Sequence, residues 1–429
     1  MSDASETVEI LRRLIARVEA GSVHPARRQR RVPIADVVAG SFLDTPHGPL
    51  FTTRAEVPLS WPRGRFGSSL SLLETPLPHA MTRLAGHTAL AGMAPARLLF
   101  LDTETTGLAT TAGTFAFLVG VGFVDGCLFV VEQFFARDFD EEPALLWALD
   151  RRLRNFQGLV TYNGRAFDLP LLAARFATNR VFDPPIPDLH LDMLYPARRL
   201  WRARGAGCSL SSLEREILGV EREGDVPGAM IPGIYFSALG SGDARGLAPV
   251  FEHNAHDILS LAGLTVEAAR LLAGTVPTVS AAEDLLSLAR IVEAEAARDA
   301  LKLYRAAADG EFKTQAAREE ALGRLGLLYR RLGERDEACR VFSSLAKEGR
   351  LLRPFSLVEL AKELEHNARA FDEARVAAEE ALRAIQELKS VGATSKAQFR
   401  VTANDVQQRI ARLSARARGL PWRRQLARP

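Results

Sequence analysis

Two carboxylates close an apolar run in the stretch Leu98-Leu99-Phe100-Leu101-Asp102-Thr103-Glu104-Thr105-Thr106-Gly107-Leu108. The four apolar residues read as a buried strand. On a strand, positions i and i+2 face the same side, so Asp102 and Glu104 project together from its tip. Like charges side by side are costly to enclose unless a counter-charge joins them, and a divalent cation is the usual one. Gly107 permits a tight turn directly after the acids. Three further places carry groups of the same kind: Asn163-Gly164-Arg165-Ala166-Phe167-Asp168, Asp192, and His253-Asn254-Ala255-His256-Asp257. Taken singly, each has an ordinary structural role. Asp168 suits the N-cap of a helix with Pro170 in its first turn. Asn254 suits the cap of a later helix, with Asp257 at its third position. His190 and Asp192 suit a strand end.

The elements that must position these groups follow from hydrophobic period. Phe115 to Val124 and Cys127 to Phe135 are strand-like and are joined by Asp125-Gly126, a hairpin signal. Helical spacing predicts Glu141 to Arg154, with Leu145, Leu146, Leu149 and Leu153 inward. Leu159 to Tyr162 is a short buried strand, Phe167 to Thr178 a helix, His190 to Leu194 a further strand, and Ser209 to Leu218 a helix. A last helix is expected to begin near Asn254 and run past Ala269. A hairpin followed by alternating helices and strands implies an α/β domain with a mixed sheet flanked by helices, over residues 96–275.

On either side the pattern changes. Residues 1–95 read as an N-terminal helix over 5–20, the basic cluster Arg27-Arg28-Gln29-Arg30-Arg31, and a loop-rich arm with short strand-like pieces such as Leu50-Phe51-Thr52-Thr53. In that arm Trp61 and Phe66 interleave with Arg63 and Arg65, a composition suited either to nucleic acid or to an arm packing on the next domain. Residues 281–400 show almost no strand signal but a weak repeat. Ala300, Ala338 and Ala374 recur at offsets of 38 and 36 in similar settings, Asp299-Ala300-Leu301, Asp336-Glu337-Ala338 and Asp372-Glu373-Ala374. Together with Leu325-Gly326-Leu327-Leu328-Tyr329 and Gly333, this predicts an all-α, tetratricopeptide-like domain. Residues 401–429 form a basic extension, with seven arginines and no acid from Val406 onward.

Composition bounds the class. The 429 residues, 47% apolar and 25% charged, suit a soluble protein of two or three domains. The net charge of +3 is mild, so the clustered arginines rather than the total point to a polyanion. Cys127, Cys208 and Cys339 match no zinc or disulfide spacing. No apolar run reaches the length of a membrane span, and the acidic, polar start Met1-Ser2-Asp3-Ala4-Ser5-Glu6 lacks the pattern of a signal peptide. The expected location is the cytoplasm.

Taken in order, Asp-x-Glu on a first strand, Asn-x3-Phe-Asp after a second, and a His four residues before a final Asp resemble the DEDD superfamily of 3′–5′ exonucleases. Asp102 and Glu104 match its first motif, Asp168 its second, with Asn163 and Phe167 at the expected offsets, and Asp257 its third. These enzymes usually place Tyr four residues, or His five residues, before the last Asp. Here His253 holds the tyrosine spacing and position 252 is Glu. Further stretches, Ser209-Leu210-Ser211-Ser212-Leu213-Glu214, Asp225-Val226-Pro227-Gly228, Ile231-Pro232-Gly233-Ile234-Tyr235 and His253-Asn254, resemble the YprB-like bacterial proteins. Those join a ribonuclease-H-like exonuclease domain to C-terminal tetratricopeptide-like repeats.

The resemblance implies an RNase-H-like fold. It implies that Asp102, Glu104, Asp168 and Asp257 bind two Mg2+ or Mn2+ ions, about 3.5–4 Å apart. It implies His253 as general base, in preference to His256, since imidazole titrates near neutrality. Main-chain groups near Thr105 and Thr106, with Asn163 and Phe167, would hold the terminal nucleotide of a single-stranded 3′ end; Arg165 suits a plain surface position or, alternatively, steering of the phosphate. Two other functions share parts of this reading. A nuclease-like scaffold would bind a protein partner through the repeats without hydrolysis, and a structure-selective endonuclease would use the same metal site.

Overall fold

The structure, a computed structural model, describes residues 31–60, 70–107, 113–205, 207–273, 281–393 and 397–418. The expected helix over 5–20, the basic cluster as far as Arg30, Trp61, Arg63, Arg65, Phe66 and Leu108 lie outside these residues.

Among the described residues, seven strands form one mixed sheet in the order β1-β2-β5-β4-β3-β6-β7. They are β1 (Ser41–Thr45), β2 (Gly48–Pro58), β3 (Leu98–Thr105), β4 (Ala116–Asp125), β5 (Leu128–Phe135), β6 (Gly158–Thr161) and β7 (His190–Asp192). The β4–β5 hairpin is antiparallel, with Asp125 opposite Leu128 and Gly126 at φ +58°. β6 and β7 run parallel to β3. The arm expected over 1–95 is not separate in its described part: β1 and β2 extend the sheet, with β2 paired antiparallel to β5 from Phe51 to Pro58. Leu50 and Phe51 are fully buried there, so apolar burial and edge pairing outweigh the Pro- and Gly-rich surroundings that suggested a loop.

Helices cover both faces. In chain order they are α1 (His79–Leu84), α2 (Glu142–Leu153), α3 (Asp168–Thr178), α4 (Leu194–Trp201), α5 (Leu210–Leu213), α6 (Ile231–Ser241) and α7 (Ala248–Leu272). Side chains of β3 alternate between two buried clusters. Leu99 and Leu101 pack with α2, α3 and α6; Leu98 and Phe100 pack with α4 and α7. Asp102 and Glu104 continue the even series and so turn toward α7. This helix lies close on the sheet because two glycines face it from β4. A Cβ on Gly120 would stand 2.1 Å from Asn254 Oδ1, and one on Gly122 would stand 2.5 Å from Ile258 Cγ2.

Seven further helices follow: α8 (Ala282–Val292), α9 (Ala297–Ala308), α10 (Gln315–Arg331), α11 (Arg335–Glu348), α12 (Arg353–Glu363), α13 (Phe371–Ser390) and α14 (Ala403–Ala417). Each packs on the next in sequence. Ala300, Ala338 and Ala374 are each the fourth residue of the second helix in a pair, and all three are fully buried. The recurring small residue thus marks where the paired helices approach. In α10, Gly326 leaves room for the Phe342 ring, which a Cβ would meet at 2.5 Å. The array shares a core with the sheet through α4 and α8, and the buried Arg204 clamps Asp284 of α8 with two bonds of 2.9 and 2.6 Å.

The basic extension expected from residue 401 is, over its described part, α14. It packs on α13, and Arg409, Arg412 and Arg416 converge on the enclosed carboxylate of Glu365 at 2.8, 2.7 and 3.1 Å. Three of its arginines are therefore internal ion-pair partners. Among the described residues, no helix is long and apolar enough to cross a membrane.

Candidate active site

Asp102 and Glu104 stand at the end of β3 as the alternation requires. Asp102 Oδ2 accepts from Asn254 Nδ2 at 2.9 Å. Asn254 Oδ1 in turn accepts from Gln133 Nε2 at 2.9 Å, and Gln133 Oε1 accepts from Thr53 Oγ1 at 2.7 Å. Thr53, Gln133, Gly120 and Asp102 are register partners across β2, β5, β4 and β3. Asn254 reaches down over Gly120 to join the row. One line of buried amides therefore fixes the first carboxylate.

Asp168 is the first residue of α3, not its cap; Phe167 holds the N-cap position. Its side chain is buried, and Oδ1 accepts from Thr103 Oγ1 at 2.6 Å. Thr103 lies between the two acids of β3. The loop before α3 is set by Asp192, whose carboxylate accepts from the backbone N–H of Asn163 at 2.8 Å and of Arg165 at 3.1 Å. Asn163 has φ +67°, a conformation that Asn tolerates better than most residues.

Asn254 does not start the last helix. α7 begins at Ala248, with Pro249 in its first turn, and Asn254 is fully buried within it. Pro249 was the start signal. His253 and Asp257, four residues apart, therefore share a helix face. His253 Nδ1 is 2.8 Å from Asp225 Oδ1, and its Nε2 faces Glu104 Oε1 at 3.9 Å and Asp257 Oδ2 at 3.6 Å. Asp257 Oδ1 accepts from Arg222 Nη2 at 2.5 Å. Arg222 also donates to Glu214 at 2.6 Å, and Glu214 accepts from Ser260 of α7.

The electrostatics reflect four acids gathered in little water. Desolvation, then the charges of Asp257, Glu104 and Asp168, push Asp102 well above the usual carboxylate range. Desolvation with Asp257 and Asp168 raises Glu104 to about 8. Desolvation raises Asp168 to about 6 against the bond from Thr103. Asp257 is raised by desolvation, with Arg222 and His253 opposing. An all-carboxylate set short of positive charge fits a hard divalent cation. Among the described residues, however, no three His, Cys, Asp or Glu side chains stand in ready ligand geometry. Arg222 holds Asp257, and Thr103 holds Asp168.

The hydroxyls of Thr105 and Thr106, whose main chain is expected to meet the substrate, bond to nearby backbone groups. Thr105 Oγ1 donates to Gly107 O at 2.7 Å, and Thr106 Oγ1 accepts from Phe115 N at 3.0 Å. Sequence reasoning missed Gln133, Glu214, Arg222 and Asp225 as site residues. Gln133, a lone amide in a strand of mainly apolar residues, was a readable signal. Arg222, a single cation among Glu221, Glu223 and Asp225, was another.

Residues 99–269 match the family model of the RNase_H superfamily. The chain is also 31% identical, over 76% of its length and 79% of the relative's, to a Bacillus subtilis (strain 168) protein called "Uncharacterized protein YprB". The chain belongs to the YprB family, with an RNase-H-superfamily domain. The matched span opens within β3 and closes within α7, the two elements that carry five of the candidate residues, Asp102, Glu104, Asn254, His253 and Asp257. Proteins of this superfamily usually hydrolyse phosphodiester bonds and generally use divalent metals. A nuclease-like domain implies a nucleic acid substrate.

Proposed function

We propose that this YprB-family protein is a metal-dependent 3′–5′ exonuclease that releases nucleoside 5′-monophosphates. The observation that carries the reading is the approach of His253 Nε2 to both Glu104 and Asp257 beside Asp102 and Asp168. Asp102, Glu104, Asp168 and Asp257 would hold two Mg2+ or Mn2+ ions, which supply Lewis acidity at the scissile phosphate. His253, its Nδ1 tied to Asp225, presents Nε2 to take the proton of the attacking water. The water oxygen bonds to phosphorus as the bond to the 3′ oxygen breaks in line, and that oxygen, leaving with the shortened strand, takes a proton from bulk water. Asn163, Phe167 and the main chain at Thr105 and Thr106 hold the terminal nucleotide. The buried row from Thr53 to Asn254 keeps Asp102 in place without taking part in bond changes.

The test is Asp102→Ala combined with Asp168→Ala, assayed on an end-labelled single-stranded oligonucleotide with Mn2+. Loss of trimming, and loss in the parent on adding EDTA, is expected. Trimming at the parental rate overturns the assignment. Circular and end-blocked strands separate this activity from a structure-selective endonuclease, which would cut them.

A second reading is favoured by the grip of Arg222 on Asp257: a nuclease-like scaffold that binds a protein through a tetratricopeptide-like array. It predicts a stable complex in pull-down and no hydrolysis with any metal.

A further inference from the structure

α4 presents two unlike faces. Leu194, Ala197, Leu200 and Trp201 are buried in the shared core. Tyr195, Arg198 and Arg199, with Arg202 in the 3-10 turn that directly follows the helix, are exposed. Their spacing of i, i+3, i+4 and i+7 makes one stripe along the helix, about 10 Å long at 1.5 Å per residue. Among the described residues, none of these three arginines has an acid within ion-pair distance. Most of the other described arginines do, including Arg175, Arg204 and Arg222.

The stripe lines a groove of about 730 Å3 at the junction of the sheet domain and the helical array, with Leu84 and Arg290 on its other walls. Among the described lining residues the one acid, Glu320, is engaged by Arg290 at 3.7 Å and Arg324 at 3.1 Å. At its other end the stripe reaches Arg165, in the loop that precedes Asp168. The Arg165 guanidinium lies 5.1 Å over the Tyr195 ring, and the backbone of Arg165 is held by Asp192 in the loop that leads to Asp168.

We propose that the groove along α4 is the path of a single-stranded nucleic acid leading away from the active site, with Tyr195 as a stacking platform and Arg198, Arg199 and Arg202 on successive phosphates. Unpaired guanidiniums on one helix face match a polyanion, and a ring flanked by cations adds the base contact that a purely acidic peptide lacks. A concave groove of this size suits a flexible strand. The path rests on the nuclease reading for its direction, since its near end is the Asn163–Asp168 loop.

Binding is measured in EDTA, so that no strand is consumed, by fluorescence anisotropy of a labelled single-stranded 20-mer across a salt series. The parent is compared with Arg198→Ala/Arg199→Ala/Arg202→Ala and with Tyr195→Ala. The triple variant is expected to bind at least tenfold more weakly, with a slope of log affinity against log salt shallower by about 2. Tyr195→Ala is expected to weaken binding and leave the slope unchanged. Unaltered affinity and slope in the triple variant overturn the proposal. So does displacement of the strand from the parent by polyglutamate at equal charge concentration, which would make the groove an acidic-peptide site. Trimming by the parent with Mn2+ is scored separately. A parent that trims nothing but binds through the stripe removes the exonuclease reading and keeps the groove; a parent that trims while its triple variant binds unchanged does the reverse.

Discussion

Arg222 Nη2 meets Asp257 Oδ1 at 2.5 Å, so the last acid of the candidate site is already paired with a cation from the chain itself. The guanidinium is almost fully enclosed and also serves Glu214. Removing it strands two acids. Arg222→Met should cost about 3–5 kcal/mol of stability without metal, the usual penalty for breaking a buried pair. Mn2+ should recover part of that loss if the proposed metal site is right, because Arg222 and the metal would then compete for Asp257. Urea midpoints in EDTA and in Mn2+ test this, with Arg222→Lys as the milder variant. An equal loss in both conditions contradicts the competition.

Asp225 approaches His253 Nδ1 at 2.8 Å and also pairs with Arg222 at 3.4 Å. It should act by orienting the ring. Asp225→Asn is expected to lower kcat for trimming roughly 10–100-fold, as loss of an orienting carboxylate does elsewhere, with strand affinity in EDTA unchanged. His253→Ala should lose about 100–10,000-fold. Single-turnover rates read both, and a parental rate for either variant removes His253 as the base.

Gly120 and Asn254 should behave as one unit. A methyl at Gly120 would overlap Asn254 Oδ1 at 2.1 Å, costing about 1–3 kcal/mol by overpacking. Asn254→Ala should cost a similar amount, leaving Gln133 and Asp102 short of a partner. In the double variant the methyl has nothing to strike, so the two costs should not add. A double-mutant cycle on unfolding free energy decides it, and strict additivity would show the contact to be unimportant.

Glu365 links acid sensitivity to the end of the helical array. Burial alone would raise this carboxyl, but the hydrogen bond and charge of Arg412, with Arg409, hold it below its ordinary value. A depressed acid contributes stability above its unfolded pKa of about 4.3 and loses it as pH falls through the folded value. Glu365→Gln should therefore destabilise the protein by about 2 kcal/mol near pH 7. It should also flatten the decline of stability below pH 5. Parallel acid limbs for parent and variant would contradict this.

Local pattern carried much of the architecture. The runs at Leu98, Phe115, Cys127 and Leu159 became β3, β4, β5 and β6 within a residue or so of their expected ends, because each is an unbroken buried strand. The recurrence of Ala300, Ala338 and Ala374 was a true signal of helix pairing, since a small side chain is what lets backbones approach. Long-range facts were not legible in this way. Membership of β2 in the sheet depends on its pairing with β5, some 80 residues away. The role of Asn254 depends on the bare backbone of Gly120, which no reading of the His253–Asp257 stretch supplies. The convergence of α14 on Glu365 looked like loose positive charge because its acid lies 44 to 51 residues back.

The apolar interior passes from the sheet through α4 and α8 into the helix pairs as one cluster. Severing the chain after Ala273 would accordingly not liberate two tidy modules. The amino-terminal fragment would bare the side of α4 that packs on α8, and the remainder would bare α8. The sheet and the first helix pairs should therefore melt together, in one cooperative step.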